Sequence, residues 1–299
     1  MFDSLSIRLK IVLLSGLCLL GVVGLIVGMN IYQTNQNDEL VSSSSTRMLT
    51  ASVENLLQAK AAEQAVRVQK TFGESLLVVT ALADQVADLR TMAAKRSLEA
   101  GVLREELNQS LKTAFERNPK VLGIWLAYEP NALDGKDSEF VNDAARQSNE
   151  AGRFASYWSR AAGQWVNTIM VEDDMTKTTQ NINGTPYNSW YTCPRDSKRT
   201  CLLDPYADTV NGKEMLMTTI SLPLLVDGKS IGVVGIDIAL DALQAAALAS
   251  QRELFNNAGH MLIVSGSGVL AGFGADASKV GKNIGDTLGA EGKEILQLL

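Results

Sequence analysis

The feature that most constrains the fold is a long uncharged run close to the N-terminus. No charged residue occurs between Ile11 and Asn37, and the stretch from Ile11 to Ile31 is almost wholly apolar. An α-helix rises about 1.5 Å per residue, so about 20 such residues cross a hydrocarbon core of ~30 Å. A signal peptide has a shorter apolar region followed by an Ala-x-Ala-like site, which Asn30-Ile31-Tyr32-Gln33 does not resemble. We therefore expect a transmembrane helix over residues 11–32.

The charges beside this run predict its orientation. Arg8 and Lys10 precede it, whereas the first charged residues after it are Asp38 and Glu39. Basic residues are enriched on the cytoplasmic side of membrane helices. Residues 1–10 are therefore expected in the cytoplasm, and the chain that follows the helix on the outer side of the membrane.

Composition and motifs exclude several classes of function. The chain has 299 residues and a net charge of −6, which argues against a nucleic-acid surface. It contains no phosphate-binding glycine loop with lysine, no Gly-x-Ser-x-Gly and no Cys-x-x-Cys. His260 is the only histidine and has no ligand partner near it in sequence. We expect no enzymatic activity, no metal site and no cofactor.

Two of the three cysteines can form a disulfide. Cys18 lies in the membrane run, whereas Cys193 and Cys201 lie in the exported part, where oxidation is permitted. The intervening residues are polar and loop-like. A disulfide closing this short loop and a pair of thiols in paired strands are both compatible with the sequence.

The segment from residue 33 to 118 is predicted to be helical. Residues 40–96 contain no proline and one glycine, Gly73, and their apolar residues follow near-heptad spacing. The seam of this long helix could pack on its own domain, on a second copy of the chain, or on both. A second helix, residues 102–117, ends before Pro119.

Beyond Pro119 the pattern changes to strands and turns, so the fold class is α+β. Asn211-Gly212 and Asp227-Gly228 separate apolar strands and provide the positive φ of tight hairpins. Residues 119–240 are thus predicted to form an antiparallel-sheet module. Asp241 and Gln244 have capping-box spacing for a helix over residues 242–254. Residues 241–299 contain too few strands to close a sheet, so we expect a second, incomplete module.

One group of residues in the first module suggests chemistry. Tyr206 and Asp208 are two residues apart on a predicted strand, so their side chains share a face. Asp237 follows the apolar strand Gly235-Ile236, and Trp190-Tyr191 precede these strands. Carboxylates pair with an ammonium group and aromatic faces attract it, so together they can hold an organic cation.

Each of these residues also has an ordinary structural interpretation. The two aromatic residues at 190 and 191 are typical of a core, Asp208 is compatible with a turn, and Asp237 is compatible with a helix cap. Glu172, Asp173 and Asp174 form an acidic loop that is either solvated or directed toward the same pocket. The predicted ligand-binding set is Trp190, Tyr191, Tyr206, Asp208, Asp237, Glu172 and Asp173.

The arrangement resembles the double-Cache sensor of bacterial methyl-accepting chemotaxis receptors. The resemblance is carried by the membrane helix, the long outward helix, Trp190-Tyr191, Asp204-Pro205-Tyr206 and the strand Gly232-Val-Val-Gly-Ile-Asp-Ile238, and it covers nearly the whole chain. It implies two PAS-like Cache modules, the second truncated here. It also implies an inner-membrane protein with a periplasmic sensor domain, a homodimer through the long N-terminal helix, and cytoplasmic signalling partners.

The resemblance also implies a class of ligand. Amino-acid-sensing members of the family carry Arg-x-Trp-Tyr, whose arginine binds the ligand carboxylate, but this chain has Asn188 at that position. Asp237 matches the family's amine-binding aspartate. Tyr206 and Asp208 match the amine-sensing branch, whose ligands are polyamines or histamine. The resemblance thus favours a ligand with an amine and without a carboxylate.

Three alternatives stay open at this point. The same sensor could serve a histidine kinase or a cyclic-dinucleotide enzyme, and its ligand could be an amino acid. An exported structural or partner-binding domain without a small ligand is the third.

Overall fold

The computed structural model describes residues 6–161, 163–254 and 259–299. The chain divides into two compact units, Met1–Glu63 and Gln64–Leu299. Helix α1 (Ile7–Arg96) contains an 18-residue window with a mean hydropathy of 2.7, none of which is buried. By length and composition this helix can cross a membrane, a test that an N-terminal signal sequence also meets. Part of the predicted cytoplasmic stretch, residues 1–5, lies outside the described residues.

The second unit is a mixed helical and antiparallel-sheet domain. After α1, its helices are α2 (Ala100–Arg117), α3 (Glu172–Thr176), α4 (Ser189–Ser197), α5 (Leu240–Glu253) and α6 (Ile284–Leu296). Its strands are β1 (Gly123–Tyr128), β2 (Ala155–Ala161), β3 (Gln164–Ile169), β4 (Cys201–Leu202), β5 (Tyr206–Val210), β6 (Lys213–Val226), β7 (Lys229–Ala239), β8 (Leu262–Val264) and β9 (Leu270–Phe273). Short 3₁₀ turns are Asp137–Glu139, Ala144–Arg146 and Ala277–Lys279.

The main sheet is antiparallel and has the order β3-β2-β1-β7-β6-β4, with β5 also pairing with β6. Two of its tight turns are those predicted from sequence. Asn211 and Gly212 join β5 to β6, Asp227 and Gly228 join β6 to β7, and all four residues have positive φ. Strands β8 and β9 form a separate two-stranded sheet. The sequence Ala-Ala-Gly at residues 161–163 also predicts a turn between two paired strands, but residue 162 lies outside the described residues.

The two faces of the main sheet have different partners. One face carries alternate apolar residues of β1, β6 and β7, including Ile124, Leu126 and Ile236, which pack on the helices. Val86 of α1 and Leu107 of α2 are fully buried in this core. Because side chains alternate across a strand, Trp125, Gly235 and Asp237 lie on the opposite face. That second face forms the site described below.

Two local expectations are wrong. Residues 189–197 form helix α4, so part of the stretch between Cys193 and Cys201 is helical and not the loop expected from the sequence. Asp241 does not cap α5, which begins at Leu240 without a side-chain cap. Gln244 instead forms two hydrogen bonds with the backbone of Phe273, at 2.6 and 2.8 Å, so it ties α5 to β9. The side chain of Gln244 is thus used to attach the helix to β9 and not to cap the helix.

Candidate functional site

A cavity of about 690 Å³ lies on the sheet face turned away from α2. Strands β1, β2, β5 and β7 supply its floor, and helix α4 and the segment 174–187 supply its walls. Within the described part of the chain, its lining includes five aromatic rings, four carboxylates and one ammonium group. These are Trp125, Tyr157, Tyr187, Trp190 and Tyr206; Asp174, Asp208, Glu214 and Asp237; and Lys177.

Asp237 is the most deeply placed of the four carboxylates, with 3% of its surface exposed. Its Oδ1 accepts a hydrogen bond from Thr219 Oγ1 at 2.6 Å and another from Trp125 Nε1 at 3.2 Å. Thr219 is the direct cross-strand neighbour of Asp237, so strand register brings the two together. None of the salt bridges of the described residues involves Asp237. The carboxylate therefore has hydrogen-bond donors but no counter-ion.

Tyr206 extends this hydrogen-bond chain. Its hydroxyl lies 2.7 Å from Thr219 Oγ1. Because the single hydroxyl proton of Thr219 is donated to Asp237, Tyr206 donates to Thr219 and its oxygen keeps acceptor capacity toward the cavity. A ligand N–H can therefore meet both a carboxylate and a phenol oxygen at this end of the cavity.

A glycine creates the space for the indole that supports Asp237. Gly235 faces Trp125 across β1 and β7, and a Cβ on Gly235 would lie 2.1 Å from Trp125 Cζ2. Gly235 and Asp237 are two residues apart, so they share the cavity face of the strand. The Gly-x-Asp spacing thus lets Trp125 reach the carboxylate. Trp125 also contacts Trp190 edge-to-face, with ring centroids 4.8 Å apart.

Gly123 leaves the space for a second ring of the cavity, that of Tyr157. A Cβ on Gly123 would lie 2.4 Å from Tyr157 Cε2. The buried hydroxyl of Tyr157 neighbours Asp237 but has no partner of good hydrogen-bond geometry among the described residues. A buried hydroxyl without a partner costs free energy, so this group is available to a bound molecule.

Asp208 lies on the same strand and the same cavity face as Tyr206, as their spacing predicts. Its Oδ1 accepts hydrogen bonds from the Tyr187 hydroxyl at 2.7 Å and from the Thr209 backbone at 2.7 Å. Asp208 is half-buried, whereas Asp237 is fully buried. The two carboxylates thus occupy an inner and an outer position of one cavity.

The wall formed by residues 177–187 is a hairpin-like flap. Backbone hydrogen bonds join Tyr187 N to Thr179 O and Asn181 N to Thr185 O, both at 2.8 Å. The Asn181 amide binds both backbone groups of Ala207 on β5, at 3.1 Å each. The flap is therefore attached to the strand that carries Tyr206 and Asp208.

Helix α4 carries Trp190 into the cavity wall. A disulfide joins Cys193 of α4 to Cys201 of β4, with 6.2 Å between the Cα atoms. Asn188, at the N-terminus of the helix, is buried, and its side chain donates to the Met175 carbonyl at 3.0 Å. Asn188 is not among the residues that line the cavity. The Asn188 bond holds the N-terminus of this helix, and the cross-link holds its middle.

Tyr191 points away from the cavity that Trp190 lines. Its hydroxyl donates to Glu129 and accepts a hydrogen bond from Arg153 Nη2. The guanidinium groups of Arg153 and Arg195 lie 5.5 and 5.4 Å from its ring centroid. The structure thus separates the Trp190-Tyr191 pair, which sequence reasoning had grouped in one pocket.

Glu172 and Asp173 also lie outside the cavity lining. Glu172 forms a salt bridge with Arg153 at 2.9 Å and accepts a hydrogen bond from Asn149 at 2.7 Å. Asp173 is exposed. Asp174, the third residue of the acidic group, lines the cavity instead.

Burial dominates the electrostatics of the cavity. Desolvation raises the pKa of Asp237 to about 6, although hydrogen bonds from Thr219 and Trp125 and the neighbouring Tyr157 hydroxyl oppose the rise. Burial likewise raises the pKa of Asp208 and Asp174, and the charge of Lys177 opposes both shifts. The carboxylates are thus held together at a cost that a bound cation would relieve.

Sequence reasoning missed Trp125, Tyr157, Tyr187 and Lys177 as lining residues. Trp125 and Tyr157 are strand residues whose face is known only when the register is known. Tyr187 and Lys177 belong to a polar stretch that has no hydrophobic period. The glycines at 123 and 235 are the one local signal, because glycine inside a strand often marks close approach of another group.

Comparison of the sequence with known proteins finds similarity to chemotaxis receptors. Residues 107–245 match the family model for the methyl-accepting chemotaxis protein-like, first PDC sensor domain. The chain is 45% identical over 296 residues to the methyl-accepting chemotaxis protein TlpQ of Pseudomonas aeruginosa. These matches support a chemoreceptor sensor domain. The alignment covers 99% of this chain but 42% of TlpQ, so the chain spans less than half the length of that relative.

Solved structures show the same fold at low identity. The structure named methyl-accepting chemotaxis protein X is 24% identical, with a TM-score of 0.59 over 82% of this chain and 84% of that chain. The periplasmic sensory domain of the Campylobacter jejuni chemoreceptor Tlp1 is 12% identical, with a TM-score of 0.53 over 79% and 77%. The sensor domain described here therefore shares its architecture with chemoreceptor sensory domains.

Proposed function

We propose that the cavity binds a small organic amine and that the chain is the sensor region of a chemoreceptor of the amine-sensing double-Cache type. The observation that carries the proposal is Asp237, a fully buried carboxylate with no counter-ion among the described residues, at the floor of a cavity walled by aromatic rings. An ammonium group would supply the missing positive charge. Polyamines and histamine are the ligands of this kind that the site favours.

The inner end of the cavity suits one ammonium group. Asp237 would accept charge-assisted hydrogen bonds from it, which are about twice as strong as neutral ones. The rings of Trp125, Trp190 and Tyr206 surround this position, and each cation–π contact contributes roughly 0.5–2 kcal/mol. The Tyr157 hydroxyl would gain the partner that it lacks.

The outer end suits a second positive group. Three further carboxylates line the cavity, those of Asp174, Asp208 and Glu214. The Tyr187 ring lies beside Asp208, to which its hydroxyl donates. A diamine could place one ammonium at each carboxylate group. Of the predicted ligand-binding residues, we retain Trp190, Tyr206, Asp208 and Asp237 as direct contacts. Tyr191 and Glu172 become supporting residues through Arg153.

The remaining organisation is proposed on the same basis. Residues 119–240 would be the membrane-distal Cache module, and residues 241–299 would belong to a membrane-proximal one. Residues 11–32 would anchor the chain in the bacterial inner membrane, with the sensor domain in the periplasm. The long N-terminal helix would form a homodimer and transmit the signal to cytoplasmic partners, which requires that the ligand bind two states with different affinity.

A zwitterionic ligand is the second candidate. Lys177 lines the cavity and could take the role of the carboxylate-binding arginine that Asn188 replaces. Four carboxylates against one ammonium favour the amine, but the lysine gives the amino acid a specific point of attachment.

Isothermal titration calorimetry of the full chain in detergent micelles tests the proposal. Two matched ligand pairs are the most informative: putrescine with ornithine, and histamine with histidine. The members of each pair differ by one carboxylate. We expect the amine of each pair to bind, and spermidine with it, while the amino acid binds at least about tenfold more weakly, an effect of about 1.4 kcal/mol. Tight binding of the amino acids without binding of the amines would overturn the amine assignment.

A further inference from the structure

Lys177 is the single cationic residue among the described residues that line the cavity. Its backbone is fixed on both sides. The Lys177 N–H donates to Asp173 O at 2.8 Å at the end of α3, and its carbonyl accepts from Asn188 N at 3.1 Å. The side chain therefore starts from a fixed point at the base of the flap.

The ammonium group of Lys177 lies over an aromatic ring that is itself bound to a cavity carboxylate. Lys177 Nζ is 4.5 Å from the ring centroid of Tyr187, within the range of a cation–π contact. The Tyr187 hydroxyl donates to Asp208 at 2.7 Å. Among the described residues, Lys177 has no carboxylate within salt-bridge distance. The lysine is thus held beside the acidic cavity by the ring and not by an ion pair.

This position is the one in which the second ammonium of a diamine would be expected. It combines an aromatic face with the nearby carboxylates Asp208 and Asp174. Two ammonium groups at close range repel each other, with an energy that grows as the local dielectric constant falls. Lys177 and a second ligand cation would therefore compete for the same environment.

We propose that Lys177 sets how much positive charge a ligand can bring into the cavity, because its ammonium occupies the place over Tyr187 that a ligand's second cation would take. This inference rests on the proposed binding of amines at Asp237. A monoamine binds at the inner end and leaves Lys177 in place. A diamine has to share the outer end with Lys177 or displace it from the Tyr187 ring, so its second charge gives less affinity than the carboxylate count suggests.

Two ligands of equal chain length test the inference: butylamine, which carries one ammonium, and butane-1,4-diamine, which carries two. Both are titrated by calorimetry into the full chain in detergent micelles and into its Lys177→Gln variant. We expect the variant to bind the diamine roughly tenfold more tightly and the monoamine within about twofold of the wild type, as expected for removal of one nearby charge at intermediate dielectric constant. The Lys177→Arg variant retains the charge and should behave as the wild type.

The matched control is Lys120→Gln, which removes the same charge from an exposed position that does not line the cavity. It should leave both affinities unchanged. A diamine-to-monoamine affinity ratio that is the same in wild type and Lys177→Gln would overturn the inference while leaving amine binding intact. Absence of binding of either amine to the wild type would overturn the proposed function and the inference together.

A third ligand of the same chain length, 4-aminobutanoate, distinguishes two roles of Lys177: competition with a ligand cation and anchoring of a ligand carboxylate. If the lysine anchors a ligand carboxylate, Lys177→Gln will lose affinity for this zwitterion by tenfold or more and gain none for the diamine. That result would overturn the inference. If Lys177 is a competing cation, the zwitterion will bind weakly to both proteins.

Discussion

Two buried charges of this domain, Arg104 and Asp237, have opposite surroundings. Arg104 of α2 is fully buried, and all five of its N–H donors have acceptors in the side chains of Asp134, Asp137 and Ser148 and in the Gly152 carbonyl. Its guanidinium also lies 4.2 Å from the Phe140 ring centroid. Asp237 is almost equally buried, but within the part of the chain that the structure describes it has neutral donors, Thr219 and Trp125, and no cation.

The difference separates structure from function. The Arg104 group is complete within the chain, and it fixes the long segment 131–153 to helix α2. The Asp237 group has no cation among the described residues and opens into a cavity, which is why we propose that a ligand cation completes it. A buried charge with full compensation therefore marks a structural cross-link, whereas one without compensation marks a binding position. Substitutions at Arg104 and at Asp237 test this difference.

The largest effect is expected for Arg104→Met. The substitution leaves Asp134 and Asp137 as buried carboxylates without a cation, which typically costs about 3–5 kcal/mol. Chemical denaturation of the variant should show a loss of this size. Arg117→Met, on the exposed surface of the same helix, is the control and should change stability by less than about 0.5 kcal/mol. A small loss of stability in Arg104→Met would contradict the role of Arg104 as a structural cross-link.

Asp237→Asn should act in the opposite direction on stability. Asparagine keeps an oxygen for Thr219 and Trp125 but removes the buried charge, so unfolding at pH 8 should cost up to about 3 kcal/mol more, the equivalent of a pKa raised from 3.8 to about 6. Amine binding should weaken at least about 100-fold. Asp241→Asn, an exposed aspartate outside the cavity, should change neither quantity appreciably. Unchanged amine affinity in Asp237→Asn would remove this residue from the site.

Gly235→Ala tests the packing that supports Asp237. The added Cβ would displace the Trp125 indole, so we expect a loss of about 1–3 kcal/mol in stability and a lower affinity for amines. Gly73→Ala in α1 is the matched change, because a Cβ there meets nothing within 4 Å and helix interiors favour alanine by roughly 0.5–1 kcal/mol. If both alanine variants bind amines as the wild type does, Trp125 does not position the carboxylate.

The smallest effect is a pH dependence of opposite sign for stability and binding. Because the folded-state pKa of Asp237 is raised, the folded protein holds its proton more tightly, and stability should fall as pH rises from about 4 to about 6. Asp208 and Asp174 shift in the same direction. Amine affinity should rise over this range, roughly fiftyfold, because the ionised carboxylate binds the cation and its fraction grows from about 1% to about half. Calorimetry in buffers of different ionisation enthalpy should detect proton release at pH 6, and Asp237→Asn should show much less of it.

The sequence predicted the elements better than their contacts. The turns at Asn211-Gly212 and Asp227-Gly228, the helix before Pro119 and the shared face of Tyr206 and Asp208 all agree with the structure. Each depends on local preferences that neighbouring residues largely determine. The expectations for Glu172, Tyr191 and Gln244 depended on long-range partners, Arg153 and Phe273, which no local pattern specifies.

By itself, the sequence determined that the chain has an apolar helix long enough to cross a membrane, a mixed helical and antiparallel domain, and an aspartate at an unusual place in an apolar strand. Hydrophobic period, turn residues and charge are local properties, so they can be read directly. Only the tertiary structure decided which rings and charges surround Asp237. Strand register brought in Trp125, Tyr157 and Thr219, and the attachment of the flap to Ala207 brought in Tyr187 and Lys177. These contacts join residues tens of positions apart, and close packing of the whole sheet determines them.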